Sequence, residues 1–322
     1  MAGLRAAAAA ACMAWWAADA AAQAYPARPV RIIVPFPAGG GADLWARIIA
    51  QRVSETLAQN VVVDNRVGAS GIIGTEIAAK ALPDGYTLLM GTTGTHATNS
   101  VVFRKLPYDP VADFSPITNF VDTPFMLVGH PGVAVSSVSD LVRLARAKPR
   151  ELSYASFGNG SSAHLVGELF KSTAKIDLVH APYKGGAPEM TDLLGGHVAV
   201  MFNSLPAVVP QIKAGRLRGL AIASARRARS AAEVPTFAEA GLPGVEGGSW
   251  YGLFAPARTP AAIVDKLHAE VSVLLRQPEI EKRLLAEGAD AIGNTPREFA
   301  GQIRADIVKW GKVARDAGIQ PE

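Results

Sequence analysis

The 322-residue sequence holds a single cysteine, Cys12, and none from Tyr25 onward. Disulfide staples and a cysteine nucleophile are therefore excluded for everything after residue 24, and stability must come from a packed core. About 300 residues suffice for that, most naturally as two domains. Metal patterns are missing as well. The six histidines are scattered, with no H-E-x-x-H and no pair at ligand spacing. His164 and Glu168 share a helix face, but one pair is not a metal site. No G-x-S-x-G is present, and the nearest string, Gly68-Ala69-Ser70-Gly71, lacks its spacing. Beyond residue 24 no apolar run is long enough to span a bilayer.

Charge of one sign is also scarce. The net value is +4, and the densest cationic group is Arg216, Arg218, Arg226, Arg227 and Arg229. That group has no interleaved aromatics, so no nucleic-acid partner is expected and a solvated basic face is the plainer reading.

The first 24 residues, MAGLRAAAAAACMAWWAADAAAQA, combine an early Arg5, a run of small apolar residues and an A-x-A site ending at Ala24. This pattern predicts an export signal cleaved after Ala24. Asp19 and the scarcity of strongly hydrophobic residues argue against a membrane anchor. Lipoprotein processing at Cys12 is the alternative, although AAA precedes it where Leu is usual. A periplasmic location follows as an expectation.

From Tyr25 the periodicity alternates. RIIVPF, VVVD and YTLLM read as strands, with helices over Asp43–Leu57 and Gly71–Ala81 between them. Strand-like pieces follow one another near 116–128, and then a second series begins. It has helices at Ser139–Ala147, Ala163–Thr173, Ala187–Leu194 and Pro206–Ala214, and strands at Leu152–Ser156, Asp177–Ala181, Val198–Phe202 and Arg218–Ala223. Three helices, Ala261–Leu275, Pro278–Glu287 and Pro296–Ala317, close the chain and are expected to pack on the first domain. The order predicts an α/β fold of doubly wound sheets.

Two units echo one another. VPFPAGGGADLWAR and LSYASFGNGSSAHL each run from a strand through a glycine loop into a helix, offering bare backbone N–H groups to an anion. No G-x-x-x-x-G-K-[ST] is present and no lysine lies near the first loop, which disfavours phosphate. The second loop matches G-x-G-x-x-A, but Asp177 precedes its apolar run, whereas a dinucleotide-binding acid ends its strand. Ser161 and Ser162 add hydroxyl donors that suit carboxylate. GTTGTHATN, Tyr183-Lys184-Gly185-Gly186 and Asn203-Ser204 also follow strand ends, where ligands bind in open α/β sheets. An exported serine hydrolase using Ser161 or Ser162, and an NAD-linked oxidoreductase on the second loop, stay open as alternatives. Nothing orients His164 as a base for the former.

In order along the chain, several segments resemble the exported substrate-binding receptors of tripartite tricarboxylate transporters, of the Bordetella-uptake (Bug) type. They are YPARPVRIIVPFPAGGGADLWAR, NRVGASGIIGTEIAAKALPDGYTLL, LPYDPVADFSPI, LSYASFGNGSSAHLVGELF, VHAPYKGGAPEMTDLLGGHV, GRLRGLAIAS, VPTFAEAGLPG and WYGLFAP. The resemblance implies a type II, Venus-flytrap fold closing on a small organic carboxylate, without catalysis and without a cofactor. Membrane transporter subunits are its implied partners, and a monomer is expected. Domain 1 would comprise 25–122 plus 248–322, domain 2 would be 123–247, and the crossings would lie near Val121–Phe125 and Val245–Ser249. Carried over residue by residue, Phe36, Ala38 and Gly39 match the first loop, and Ser156, Gly158, Gly160, Ser161 and Ser162 the second. Thr92, Thr95, His96, His164 and Tyr183 would line the same cleft. Asn203 stands where the family commonly carries Asp, which shifts the expected ligand from amino acids toward di-, tri- or aromatic carboxylates. The bulk of Trp45, where a smaller residue is usual, reads as core packing.

Overall fold

The computed structural model describes residues 25–183 and 186–321. The expected export signal, with Cys12, lies outside the described residues, as do Lys184 and Gly185. The chain opens with β1 (Val30–Val34), α1 (Gly41–Leu57), β2 (Val61–Asn65), α2 (Ile72–Ala79) and β3 (Thr87–Thr92). Short helix α3 (Asn99–Val102) leads to β4 (Phe114–Gly129), α4 (Val138–Ala147) and β5 (Ser153–Ser156). The second series continues with α5 (Ser162–Ala174), β6 (Val179–Pro182), α6 (Gly186–Leu194), β7 (Val200–Ser204), α7 (Leu205–Lys213) and β8 (Arg218–Ile222). Then follow β9 (Gly248–Pro256), α8 (Ala261–Leu275), α9 (Pro278–Ala286), β10 (Asp290–Ala291) and α10 (Pro296–Asp316).

Strand β4 is the seam of the sheet. Its residues Phe114–Pro124 pair antiparallel with β9, while Phe125–Gly129 pair antiparallel with β7 and β8. On one side of that switch the sheet runs β2-β1-β3-β9-β4, with β1, β2 and β3 parallel; on the other, β7, β5 and β6 are parallel. Parallel neighbours require helical crossovers, which is why each half carries helices on both faces.

At the switch the backbones interlock. Phe125 N–H donates to Gly247 O (3.1 Å), Gly247 N–H to Ala223 O (2.9 Å) and Ala223 N–H to Phe125 O (2.8 Å). A Cβ on Gly248 would stand 2.3 Å from Thr123 O, so only glycine permits this approach. Residues 121–125 and 245–249 both lie at this switch.

Alternation along the strands fills four apolar layers. Ile32 faces the cluster with Trp45, Ile49 and Phe120; Ile33 faces that of Leu89, Phe254 and Phe299. In the other half Phe202 joins Tyr154 and Phe170, whereas Met201 joins Leu193 and Val208. This is the doubly wound α/β architecture, and Trp45 is core.

The terminal helices depart from expectation. α8 packs on the first half through Val264, Leu267 and Val271, but α10 straddles the two. Phe299 and Ile303 lie in a first-half cluster, while Trp310 and Ala314 lie in a second-half one. Twenty-one residues span about 32 Å, longer than one half-sheet needs, and the apolar stripe continues down the same face. A capping box at Thr295 and Glu298 starts the helix, and Trp250 Nε1 donates to Asp306 Oδ2 (2.8 Å), tying it to β9. The arginine group is not simply solvated either. Arg226 pairs with Asp290 (3.2 Å) and Arg229 with Glu281 (3.7 Å), both reaching the segment around α9 and β10, while Arg227 pairs with Glu239.

Three acids meet beside the seam. Asp122 accepts from Asn119 Nδ2 (2.8 Å), and burial, together with Asp306 and Asp290, pushes its carboxyl up to about 6. A raised folded-state value means the favourable contribution is complete below about pH 4 and is lost as pH rises through about 6. Asp122→Asn keeps the acceptor and removes the charge. It should stabilise the fold at pH 7.5 by on the order of 1 kcal/mol or more, read as a higher melting temperature, with the gain vanishing near pH 4. A lower melting temperature at pH 7.5 would contradict this.

Candidate functional site

The carboxyl ends of β1, β2 and β3 form one edge. After β1 the chain turns through 35–40 into α1, whose first turn leaves backbone N–H groups without intrahelical partners. Gly39, at φ +83°, gives its N–H to Asp43 Oδ2 (3.0 Å). The same carboxylate takes Arg47 Nε (2.9 Å) and Nη2 (3.0 Å), and Asn65 Nδ2 (3.0 Å). Asn65 also donates to Phe36 O. Asp43 therefore does more than cap a helix: it ties loop, helix and β2 together. The Arg47 guanidinium first, then the Gly39 and Asn65 donors, hold its carboxyl down at about 2 despite burial. Gly39 N–H is thus spent, while those of Gly41 and Ala42 have no hydrogen-bond partner among the described residues, and Ala38 is exposed. The Tyr251 hydroxyl lies beside them, 2.8 Å from where a Gly41 Cβ would stand.

After β2 comes a strained turn. Gly68, Ala69, Ser70 and Gly71 all have positive φ (135°, 46°, 55° and 85°), an arrangement that costs energy at the two non-glycine residues. Asn99 Nδ2 holds it through Ser70 O (3.1 Å). A Cβ on Gly71 would meet Thr95 Cγ2 at 2.9 Å and Phe36 Cζ at 3.1 Å, so three strand-end segments converge there.

GTTGTHATN is not a polar loop. Gly94–Thr98 is a π-helical turn running into α3, and its hydroxyls are consumed locally. Thr92 N–H donates to Thr95 Oγ1 (3.0 Å), and Thr95 N–H to Thr92 Oγ1 (3.3 Å). His96 is fully buried, stacked 3.9 Å from Phe254, with Nε2 unpartnered and burial lowering its pKa to about 3. It belongs to the core, so its placement in the cleft is corrected.

The second loop lies at the carboxyl end of β5. Ser161 caps α5, accepting from His164 N–H (3.3 Å) and donating to Gly158 O (2.7 Å). Gly160 N–H donates to His164 Nδ1 (3.0 Å), so that nitrogen carries no proton. Ser156 Oγ lies 2.7 Å from His180 Nε2, and His180 stacks on His164 at 3.8 Å. Burial lowers both imidazoles below their ordinary value, His180 to about 3. Both rings brace the loop. Ser162 is left: its hydroxyl has no partner among the described residues, and its N–H and that of Ala163 open the helix. A Cβ on Gly160 would press on Val102 at 2.5 Å, which places this loop against α3 of the other half.

At the neighbouring ends of β6 and β7, Tyr183 OH donates to Asp192 Oδ2 (2.8 Å), and Asn203 Nδ2 to Glu189 Oε2 (3.4 Å). Gly158 lies near Tyr183 O, and Gly186 near the Asn203 amide.

The structure therefore gathers Phe36, Thr92, Thr95, Gly158, Gly160, Ser162 and Asn203 along strand ends, with unspent donors at the starts of α1 and α5. Ser156, Ser161, His164 and Tyr183 are there as supports, their polar groups already paired. Among the described residues Ser156, bonded to His180, is fully buried, and the other serine–imidazole contact, Ser272 with His268 (3.4 Å), is made within α8 rather than at these strand ends. Asp177 pairs with Arg150 (3.6 Å) and precedes β6, at the edge opposite the loop. A cavity of about 620 Å³ lies elsewhere, near the far end of α5, lined by Arg146, Lys171 and Lys175. Asp43, Asn65, Tyr251, His180 and Glu189 were not singled out as ligand-site residues from sequence. Only Asp43, four residues beyond Gly39, left a local signal.

Asp43→Ala should free loop 35–40 and leave Asn65 and Arg47 unpaired, lowering stability by about 2 kcal/mol at pH 7. Because the folded-state value is depressed, the wild-type advantage is present above pH 4 and fades as pH falls through about 2. Denaturant melts at pH 7 and pH 2 check this; an equal deficit at both would contradict it.

A family model described as the tripartite tricarboxylate transporter family receptor matches residues 45–319. Protein BugT of Bordetella pertussis is 38% identical over 305 residues, covering 94% of each chain. Among solved structures, a Rhodopseudomonas palustris protein (Rpa4515) with adipate is 41% identical, with a TM-score of 0.86 over 93% of this chain and all of that one. MatC from the same organism, with bound malate, is 34% identical, with a TM-score of 0.80 over 90% of this chain and 99% of that one. No helix among the described residues is long and apolar enough to cross a membrane. With the strand-end loops, the seam and these likenesses together, the chain belongs to the tripartite tricarboxylate transporter family of receptors.

Proposed function

We propose that this chain is an exported, periplasmic receptor that binds one small di-, tri- or aromatic carboxylate between its two halves. It would deliver the ligand, chemically unchanged, to membrane transporter subunits. The observation that carries this reading is the pair of unspent donor sets: backbone N–H groups at Gly41 and Ala42, and the hydroxyl and N–H of Ser162. Both stand at helix starts, where the dipole favours an anion. A carboxylate needs two or three donors in a fork. A phosphate would leave more charge unmet than these groups answer.

The adipate and malate found in related structures are acids of the proposed class. Residues 25–122 with 248–322 would form one domain and 123–247 the other, hinged where β4 changes partners. α10 would then be shared. A ligand touching both halves favours the closed arrangement by its differential affinity. The receptor is proposed to act as a monomer.

A thermal-shift panel of adipate, malate, citrate, benzoate and the amino acids aspartate and glutamate tests this. At a hundredfold excess over its Kd, a true ligand should stabilise by about 2.7 kcal/mol. Ser162→Ala should weaken its binding about tenfold to a hundredfold, the worth of one hydrogen bond to a charged group. No shift with any carboxylate, or consumption of the ligand, would overturn the proposal.

A further inference from the structure

Glu189 is the most deeply buried acid of the second half, wholly removed from solvent in the first turn of α6. Leu193, four residues further along α6, belongs to a buried apolar cluster with Leu205 and Val208, and Met190, next to Glu189, packs against it. One oxygen, Oε2, accepts a long hydrogen bond from Asn203 Nδ2 (3.4 Å); the other, Oε1, has no partner. Among the described residues no cation pairs with it, and the titratable groups facing it are Tyr183 and Asp192, which bond to each other. The start of α6 offers a favourable dipole. An ionised carboxylate buried this deeply nevertheless needs two or three donors, and here it has one.

Burial raises its pKa well above the ordinary carboxylate range, and one long hydrogen bond beside an unpartnered oxygen favours the protonated form. With Oε2 accepting from Asn203, a proton on Oε1 would be a buried donor lacking an acceptor. That is an unmet need at the carboxyl end of β7, one turn along α6 from Gly186, which itself lies against the Asn203 amide.

We propose that Glu189 and Asn203 form a specificity-determining pair that donates hydrogen bonds to an acidic group of the ligand, Glu189 acting as a protonated acid. This rests on the carboxylate-receptor reading above and names what selects within it. Asn203, 6% exposed, offers its second amide hydrogen. Glu189 would hold that amide in place and offer its hydroxyl beside it. Neither member of the pair gives an ammonium group a charged partner, so dicarboxylates are favoured over their amino-substituted counterparts.

The test uses the full exported chain with adipate, malate and aspartate as probes, by calorimetry from pH 6 to pH 9. Glu189→Gln keeps an acceptor for Asn203 and a donor for the ligand, so its affinity for the dicarboxylates should stay within threefold of wild type and be flat with pH. Glu189→Ala should lose at least tenfold. Wild-type affinity should fall toward pH 9 as the acid ionises. Infrared difference spectra of the ligand-free protein should show a protonated carboxyl at pH 7 that is absent from Glu189→Gln. The proposal is overturned if that band is missing. It is equally overturned if all three proteins bind alike, or if wild type prefers aspartate and Glu189→Gln loses that preference. If no carboxylate binds wild type, the receptor reading fails and takes this inference with it; if they bind but the variants do not differ, only the inference fails.

Discussion

The change of partners along β4 between Pro124 and Phe125 is the constraint on which the rest depends. A single strand cannot lie fully in two half-sheets without exposing or re-pairing its backbone groups. Here re-pairing is complete, with Phe125, Gly247 and Ala223 closing a short ring of hydrogen bonds. The contact of Gly248 with Thr123 O lets the second connection cross closely. Because both connections pass through one place, two doubly wound units are presented with strand ends toward each other's elements, as the contact of Gly160 with Val102 shows. The glycine loops follow each parallel strand by topology, so their position at that edge is a consequence of the crossover rule.

The loops themselves work by subtraction. Hydroxyls and amides are abundant at these strand ends, but most are committed to holding one another. Asp43 takes four donors, Ser161 closes its own loop, His164 accepts from Gly160 N–H, and His180 Nε2 is in hydrogen-bond contact with Ser156 Oγ. The few left over are preorganised, which is where affinity for a small anion comes from. Burial lowers the pKa of both imidazoles, which favours uncharged rings as supports of the second loop.

Much of this was legible in the sequence. The strand–glycine–helix units at 31–57 and 152–173 and the final three helices follow from periodicity within a few residues, and the family from its ordered motifs. Other features left no such trace. Pro116 and Pro124 broke the strand pattern that is one sixteen-residue β4, because proline removes a ladder donor while the register shifts nearby absorb it. Thr92, Thr95 and His96 look like a polar loop, since a π-helical turn has no apolar period and a lone histidine gives no sign of burial. Spacing also says which side chains share a loop and not which are already bonded. That is why Ser161 and Ser162 read alike in sequence yet differ in the fold, one a cap and the other unpartnered. The Glu189–Asn203 pair joins residues fourteen apart, on a helix and the strand beneath it, and no local pattern predicts it.

The central claim is that the starts of α1 and α5 hold the ligand. Backbone amide chemical shifts of the isotopically labelled protein, recorded as adipate is added, test it most directly. The largest changes should fall on Gly41, Ala42, Ser162 and Ala163, saturating at one adipate per chain. Changes centred instead on Arg146, Lys171 and Lys175 at the far end of α5, with those four amides unmoved, would contradict the account.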